Sequence, residues 1–334
     1  MTDMGAGQET LPSQRATAVA LSERFPYLAF RAGEALAGVL PNRIVDGIAA
    51  TTGSVILRLR PARFDGLRDN LRHVLPELSD RELERVVRAN VRNLARSWAD
   101  VLRMQHHPDF LASRVFPVNV ENMTGPLERG RGVVIVSLHL GRWEVGLAGW
   151  NHRFGRMSVL AEAVEPVELF EHIVAARGAM GVTVIPIDTA AIRRSDDSAE
   201  ARRLGAAAIR EVYRTLKANG MVAMAMDRDL IGNGTPLPFF GAEAPIPIGV
   251  VEVAIRTGAA IVPVILLRAG DSVVAPCWPE ITYDPHADRD AEVKRVAGEV
   301  LRIFEGVIAE HPDQWHVLDP IWAAAQPASS EDGR

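Results

Sequence analysis

His139 and Glu144 lie in one short stretch and supply an imidazole and a carboxylate, the groups from which a general base is most readily built near neutral pH. They close the run Val133-Val-Ile-Val-Ser-Leu-His-Leu-Gly-Arg-Trp-Glu144, in which an apolar strand ends at His139, Gly141 breaks the pattern and a helix is expected to start near Arg142. Sheet enzymes place reactive groups at the carboxyl ends of strands, where His139 would emerge. Glu144, in the first helical turn, is expected to fold back on the imidazole, fix its tautomer and stabilise the imidazolium. Alone, the H-x4-E spacing is short, and a histidine that merely caps its own loop also satisfies it.

Other polar groups fall where successive strands should end. Glu162 follows the second expected strand, Arg177 lies near the end of the next helix, and Asp227-Arg228-Asp229 follow the strand at 222–226. Acids and arginines clustered there are costly to bury without mutual pairing or a function. Both a site and a set of structural ion pairs fit these residues. Competing chemistries lack their signals: there is no G-x-S-x-G elbow, no H-E-x-x-H, no Walker loop and no G-x-G-x-x-G after a strand, and no metal is expected.

These groups must be positioned by a larger frame, and 334 residues with 48% hydrophobic side chains suffice for a sizeable core. From position 21 to 104 the pattern is helical, with a Ser79–Glu82 capping box and an apolar stripe at Leu83, Val87, Val91, Leu94, Trp98 and Leu102. After Arg131, strands are expected at 133–138, 158–161, 183–187, 222–226, 261–267 and 272–276, and helices at 143–152, 166–178, 201–218, 249–257 and 290–310. Such alternation predicts an α/β fold, a mostly parallel or mixed sheet flanked by helices, with a helical N-terminal layer. The expected organisation is a tail at 1–20, one domain at 21–322 (helical to 104, α/β from 105) and a tail at 323–334. The stretch Gly232–Gly241, rich in glycine, proline and phenylalanine, is read as a loop that either walls an apolar slot or simply packs.

A net charge of −5 argues against general nucleic-acid binding, and the lone Cys277 against a disulfide framework. Arginines among apolar segments between residues 24 and 103 suit helices lying on an anionic membrane surface, and equally a solvated basic face. Charged residues interrupt the apolar N-terminal stretch, so a peripheral position on the cytoplasmic face of the membrane is expected rather than a span.

Taken together, the motifs resemble the bacterial acyltransferases of the lipid A biosynthesis type, a family that also includes the phosphatidylinositol mannoside acyltransferases. The carriers are His139 to Glu144, Ala161-Glu162, Pro166 to Phe170 leading to Arg177 and Gly181, Asp227-Arg-Asp-Leu230, Phe239-Phe-Gly241, Arg256-Thr-Gly258, Ile261 to Val264 and His311-Pro-Asp-Gln-Trp-His316. The resemblance implies a glycerolipid-acyltransferase-like fold, an acyl-CoA or acyl-carrier-protein donor, a glycolipid acceptor, and a His/acidic dyad without a covalent acyl-enzyme or a cofactor. By the same resemblance Glu162, Arg177, Asp227 and Arg228 line the polar, substrate-binding side of the site. The Asp-Arg-Asp-Leu run is more like the mannoside branch, which implies a phosphatidylinositol mannoside acceptor over a lipid A precursor. A thioesterase or hydrolase and a non-catalytic lipid-binding protein are the alternatives.

Overall fold

The computed structural model describes residues 21–322 apart from positions 105, 156, 196 and 197, so the tails expected at 1–20 and 323–334 lie outside the described residues. Four helices come first: α1 (Leu21–Val39), α2 (Asn42–Leu59), α3 (Asp65–Val74) and α4 (Asp80–Arg103). The capping box holds, the Ser79 backbone N–H donating to Glu82 Oε2 at 3.0 Å. Leu83, Val87 and Val91 of the stripe are buried, but Trp98 is half exposed because the stripe runs off the core onto a cavity. Short elements follow: α5 (Pro108–Ala112), β1 (Val115–Val118) and α6 (Glu121–Glu128).

The α/β part continues with β2 (Val133–Ser137), α7 (Trp143–Phe154), β3 (Met157–Glu162), α8 (Val167–Ala179), β4 (Thr183–Ile187), α9 (Thr189–Arg194), α10 (Ser198–Lys217) and β5 (Met221–Ala225). It ends with β6 (Thr235–Phe239), β7 (Ala242–Ile246), α11 (Gly249–Thr257), β8 (Ala260–Pro263), β9 (Leu267–Ala269), β10 (Ser272–Pro276) and α12 (Arg289–Glu310). The central sheet has five parallel strands in the order β4-β3-β5-β2-β8. A strand covered on both faces must be apolar at every position, and Val133 to Val136 are all buried. Side chains alternate, so Val134 and Val136 face the cluster containing Val212, Val300 and Phe304, while Val133 and Ile135 face the one containing Val145, Trp150 and Ile173.

Three strand segments depart from expectation, and proline is their common cause. The stretch read as a loop at 232–241 is the first arm of an antiparallel hairpin, β6 with β7. Pro236 and Pro238 alternate outward with buried Leu237 and Phe239, and a two-stranded ribbon spares their missing N–H groups. The single strand expected at 261–267 stops at Pro263 and resumes as β9 in a second sheet, β1-β10-β9. In β1, Pro117 hid an edge strand. Cys277 is buried, and burial pushes its thiol up to about 12.

Candidate active site

Strand register explains how distant residues meet. In the β2–β5 ladder Ser137 lies opposite Ala225, so two residues beyond each strand end His139 and Asp227 come side by side. Asp227 Oδ1 accepts from His139 Nδ1 at 2.8 Å, and its Oδ2 accepts from the His139 backbone N–H and from Trp315 Nε1, each at 2.9 Å. The Asp227 side chain is fully buried. Burial alone would raise its pKa, but the charge and hydrogen bonds of His139, with the Trp315 donor, hold it below the usual carboxylate value. An ionised carboxylate at Nδ1 keeps the proton on that nitrogen and leaves Nε2 as the basic one.

Glu144 does not take the place expected for it beside the imidazole. Its Oε2 accepts from Arg177 Nε at 3.0 Å and its Oε1 from Arg177 Nη2 and from Trp143 Nε1. Both partners are buried, and Glu144 more than offsets the downward pull of burial on Arg177, whose pKa is raised. The first turn of α7 points this carboxylate toward α8 rather than back over the loop. Asp227 likewise lies behind His139, fully buried rather than on the open side. Glu162 and Arg228 stand on the open side: their side chains are 23% and 33% exposed, with Arg228 Nη1 3.7 Å from Glu162 Oε2. Glu162 also accepts from Thr189 Oγ1, and Arg228 Nη2 donates to Asp319 at 2.6 Å.

The loop that carries His139 is held by its own amides. Gly141 N–H donates to the Gln314 carbonyl at 2.9 Å, Arg142 N–H to Leu266 at 2.8 Å, and His139 C=O accepts from His316 N–H at 2.7 Å. Gly141 has φ +74°, and a Cβ there would fall 2.0 Å from the Leu266 carbonyl oxygen, so only glycine fits. Next to it Arg142 is buried, giving Nε to Asp100 Oδ2 at 2.8 Å and Nη2 to Asp100 Oδ1 at 2.5 Å. Asp100 is on α4, so this N-terminal helix grips the loop that carries His139 directly. Asp100, Arg142 and Trp315 were absent from the sequence-based site. The family signature at 311–316 and the Arg142 inside the first motif were the only signals available for them.

His139 opens onto a cavity of about 300 Å³. His139, Glu162 and Arg228 line its partly exposed side, whereas Ile135, Leu147, Trp150 and Met157 line it where the protein is buried. A basic nitrogen at the polar side of an apolar slot is suited to deprotonating a hydroxyl beside a bound alkyl chain. Among the described residues no group of three or more His, Cys, Asp or Glu side chains is arranged to hold a metal ion.

This fold and site coincide with a family relationship. Residues 15–324 match the family described as bacterial lipid A biosynthesis acyltransferase, and the chain belongs to that family. It is an acyl-transferring enzyme. It is 25% identical over 300 residues to the phosphatidylinositol mannoside acyltransferase of Mycolicibacterium smegmatis, covering 89% of this chain and 91% of that protein. Proteins of the same name from Mycobacterium tuberculosis strains CDC 1551 and H37Rv are each 26% identical, with 77% of both chains covered.

Proposed function

We propose that this chain is a membrane-surface O-acyltransferase that moves a fatty acyl group from acyl-CoA or an acyl carrier protein to a hydroxyl of a glycolipid, by preference a phosphatidylinositol mannoside. The observation that carries the reading is the His139–Asp227 pair at the polar side of an apolar cavity. His139 Nε2 takes the proton from the sugar hydroxyl, and the oxygen attacks the thioester carbonyl to form a tetrahedral oxyanion. That intermediate collapses with cleavage of the C–S bond, and the imidazolium returns the proton to the departing thiolate. Glu144 serves by holding Arg177, and Asp227 by orienting His139; Glu162 and Arg228, with Arg177 on the same cavity wall, are the groups placed to meet the polar head. A carboxylate accepts hydroxyl protons from a neutral sugar, while the guanidinium meets a phosphodiester.

The acceptor assay offers the purified enzyme a phosphatidylinositol mannoside, a lipid A precursor or water with one palmitoyl-CoA pool and follows products by mass. The reading expects acylated mannoside as the main product. Faster acylation of the lipid A precursor would reverse the choice of acceptor, and free palmitate formed independently of acceptor would replace transfer with hydrolysis.

Attachment to the membrane is the second part of the proposal. Among the described residues no helix is long and apolar enough to cross a membrane. On α1 and α2, however, Leu36, Val39, Ile44, Ile48 and Leu59 are exposed beside exposed Arg43, Arg58 and Arg60. Apolar side chains interspersed with arginine are the composition that binds an anionic lipid interface. The protein is expected to cosediment with anionic vesicles and Ile44→Glu/Ile48→Glu to remain in solution; equal sedimentation of both would dismiss this face.

A further inference from the structure

The run His311-Pro-Asp-Gln-Trp-His316 entered only as a family signature, yet it lies against the centre of the site. It follows α12 as a short turn, Pro312–Gln314, and two asparagines of α4 fasten it. Asn90 Nδ2 donates to the Pro312 carbonyl at 2.9 Å and the Trp315 carbonyl at 2.7 Å, and Asn93 Nδ2 to Asp313 at 3.0 Å. Leu140 of the catalytic loop forms an antiparallel bridge with Trp315. The indole is wholly buried, edge-on to Phe239 and Trp322 with ring centroids 6.4 Å away in each case. Packing of that kind fixes the ring and therefore the direction of its N–H.

We propose that Trp315 is a positioning residue for acyl transfer: its indole N–H, given to Asp227 Oδ2, locks the rotation of that carboxylate so that Oδ1 meets His139 Nδ1. A carboxylate on a short side chain can turn about its Cβ–Cγ bond. Two donors converging on Oδ2, the indole and the His139 amide, remove that freedom and leave Oδ1 to the imidazole. The indole also satisfies a lone pair that has no access to water, which keeps Asp227 an anion rather than a proton-sharing acid. Other charged or titratable groups near His139 are His316, the Glu144–Arg177 pair, Glu162 and Arg228, and no hydrogen bond joins any of their side chains to Asp227 among the described residues. The inference rests on His139 acting as the base and names the residue that makes it a reliable one.

The test uses the full chain with Trp315→Phe, and with Trp315 replaced at that one site by its benzothiophene analogue, which keeps the bicyclic shape but carries sulfur in place of N–H. Trp322→Phe, in the same aromatic cluster, is the packing control. Losing a charge-assisted donor should lower kcat about tenfold to a hundredfold in both Trp315 variants, with KM for palmitoyl-CoA changed less than about twofold. In protein with 15N-labelled histidine, the His139 Nδ1–H resonance should move in both Trp315 variants and stay in place in Trp322→Phe. Wild-type kcat and an unmoved resonance in the shape-conserving variant would overturn the proposal, as would an equal movement of the resonance in Trp322→Phe. A fully active His139→Ala would instead defeat the general-base reading, while the resonance still reports whether Trp315 governs the Asp227–His139 bond.

Discussion

Asp227, at the end of β5, and Glu144, in the first turn of α7, are both buried carboxylates close to His139, and each accepts hydrogen bonds from both a charged or chargeable side chain and a tryptophan indole. The donors differ. Asp227 receives an imidazole N–H, a group whose proton occupancy changes during a reaction; Glu144 receives a guanidinium, which stays protonated at any working pH. One carboxylate can therefore take part in a catalytic cycle by following the charge on its partner. The other fixes α7 to α8 and shapes the cavity that both helices line. Nearness along the chain favoured Glu144 as the partner of His139, whereas nearness through strand register selects Asp227.

Exchanging each carboxylate for its amide breaks or sharpens this contrast. Asp227→Asn should cost about a thousandfold in kcat with the fold intact, because an amide favours the wrong imidazole tautomer and carries no charge to balance the imidazolium. Glu144→Gln should act on stability instead: an unpaired buried guanidinium costs about 3–5 kcal/mol, read from the urea midpoint, and kcat per folded molecule should fall less than about tenfold. Adding Arg177→Met to Glu144→Gln should restore most of the midpoint by removing that stranded charge. A kcat loss in Glu144→Gln as large as that in Asp227→Asn, at equal stability, would erase the distinction.

A smaller effect is expected at His316, which donates to Asn90 Oδ1 from Nδ1 beside the loop that carries His139. Burial, then the charges of Arg268 and His139, pull its pKa from 6.5 down to about 3. The unfolded chain therefore binds the extra proton first, so this contribution to stability is complete above pH 6.5 and is lost as pH falls from there toward about 3. His316→Asn keeps a donor for Asn90 but does not titrate. Its urea midpoint should fall less than that of the wild type between about pH 7 and about pH 5, and parallel curves would remove His316 from the acid response.

The sequence disclosed the frame where short apolar runs and helical stripes were bounded by turn residues. Strands β2, β4 and β5 and helices α7, α8, α11 and α12 fall within a residue or two of their expected positions, and β4 was legible despite Pro186 because Val184, Ile185 and Ile187 surround it. Prolines concealed β1, the β6–β7 hairpin and the break after Pro263, since the usual strand penalty does not apply to an edge or an isolated ribbon. His139, Glu162 and Arg228 were legible as polar residues just after or at the ends of strands. The His139–Asp227 pairing required the register of β2 on β5, which no single segment contains. The contributions of Asp100 and Trp315 required packing between segments more than forty residues apart, 42 for Asp100 with Arg142 and 88 for Trp315 with Asp227.

The central claim is that His139 is the general base for acyl transfer, and single-turnover transfer by His139→Ala tests it most directly. Folded variant and wild type are mixed with radiolabelled palmitoyl-CoA and a phosphatidylinositol mannoside, and label in the lipid product is followed against time. Loss of the general base predicts a fall of at least about a thousandfold with the circular dichroism spectrum unchanged. Transfer at near the wild-type rate by the folded variant would contradict the account.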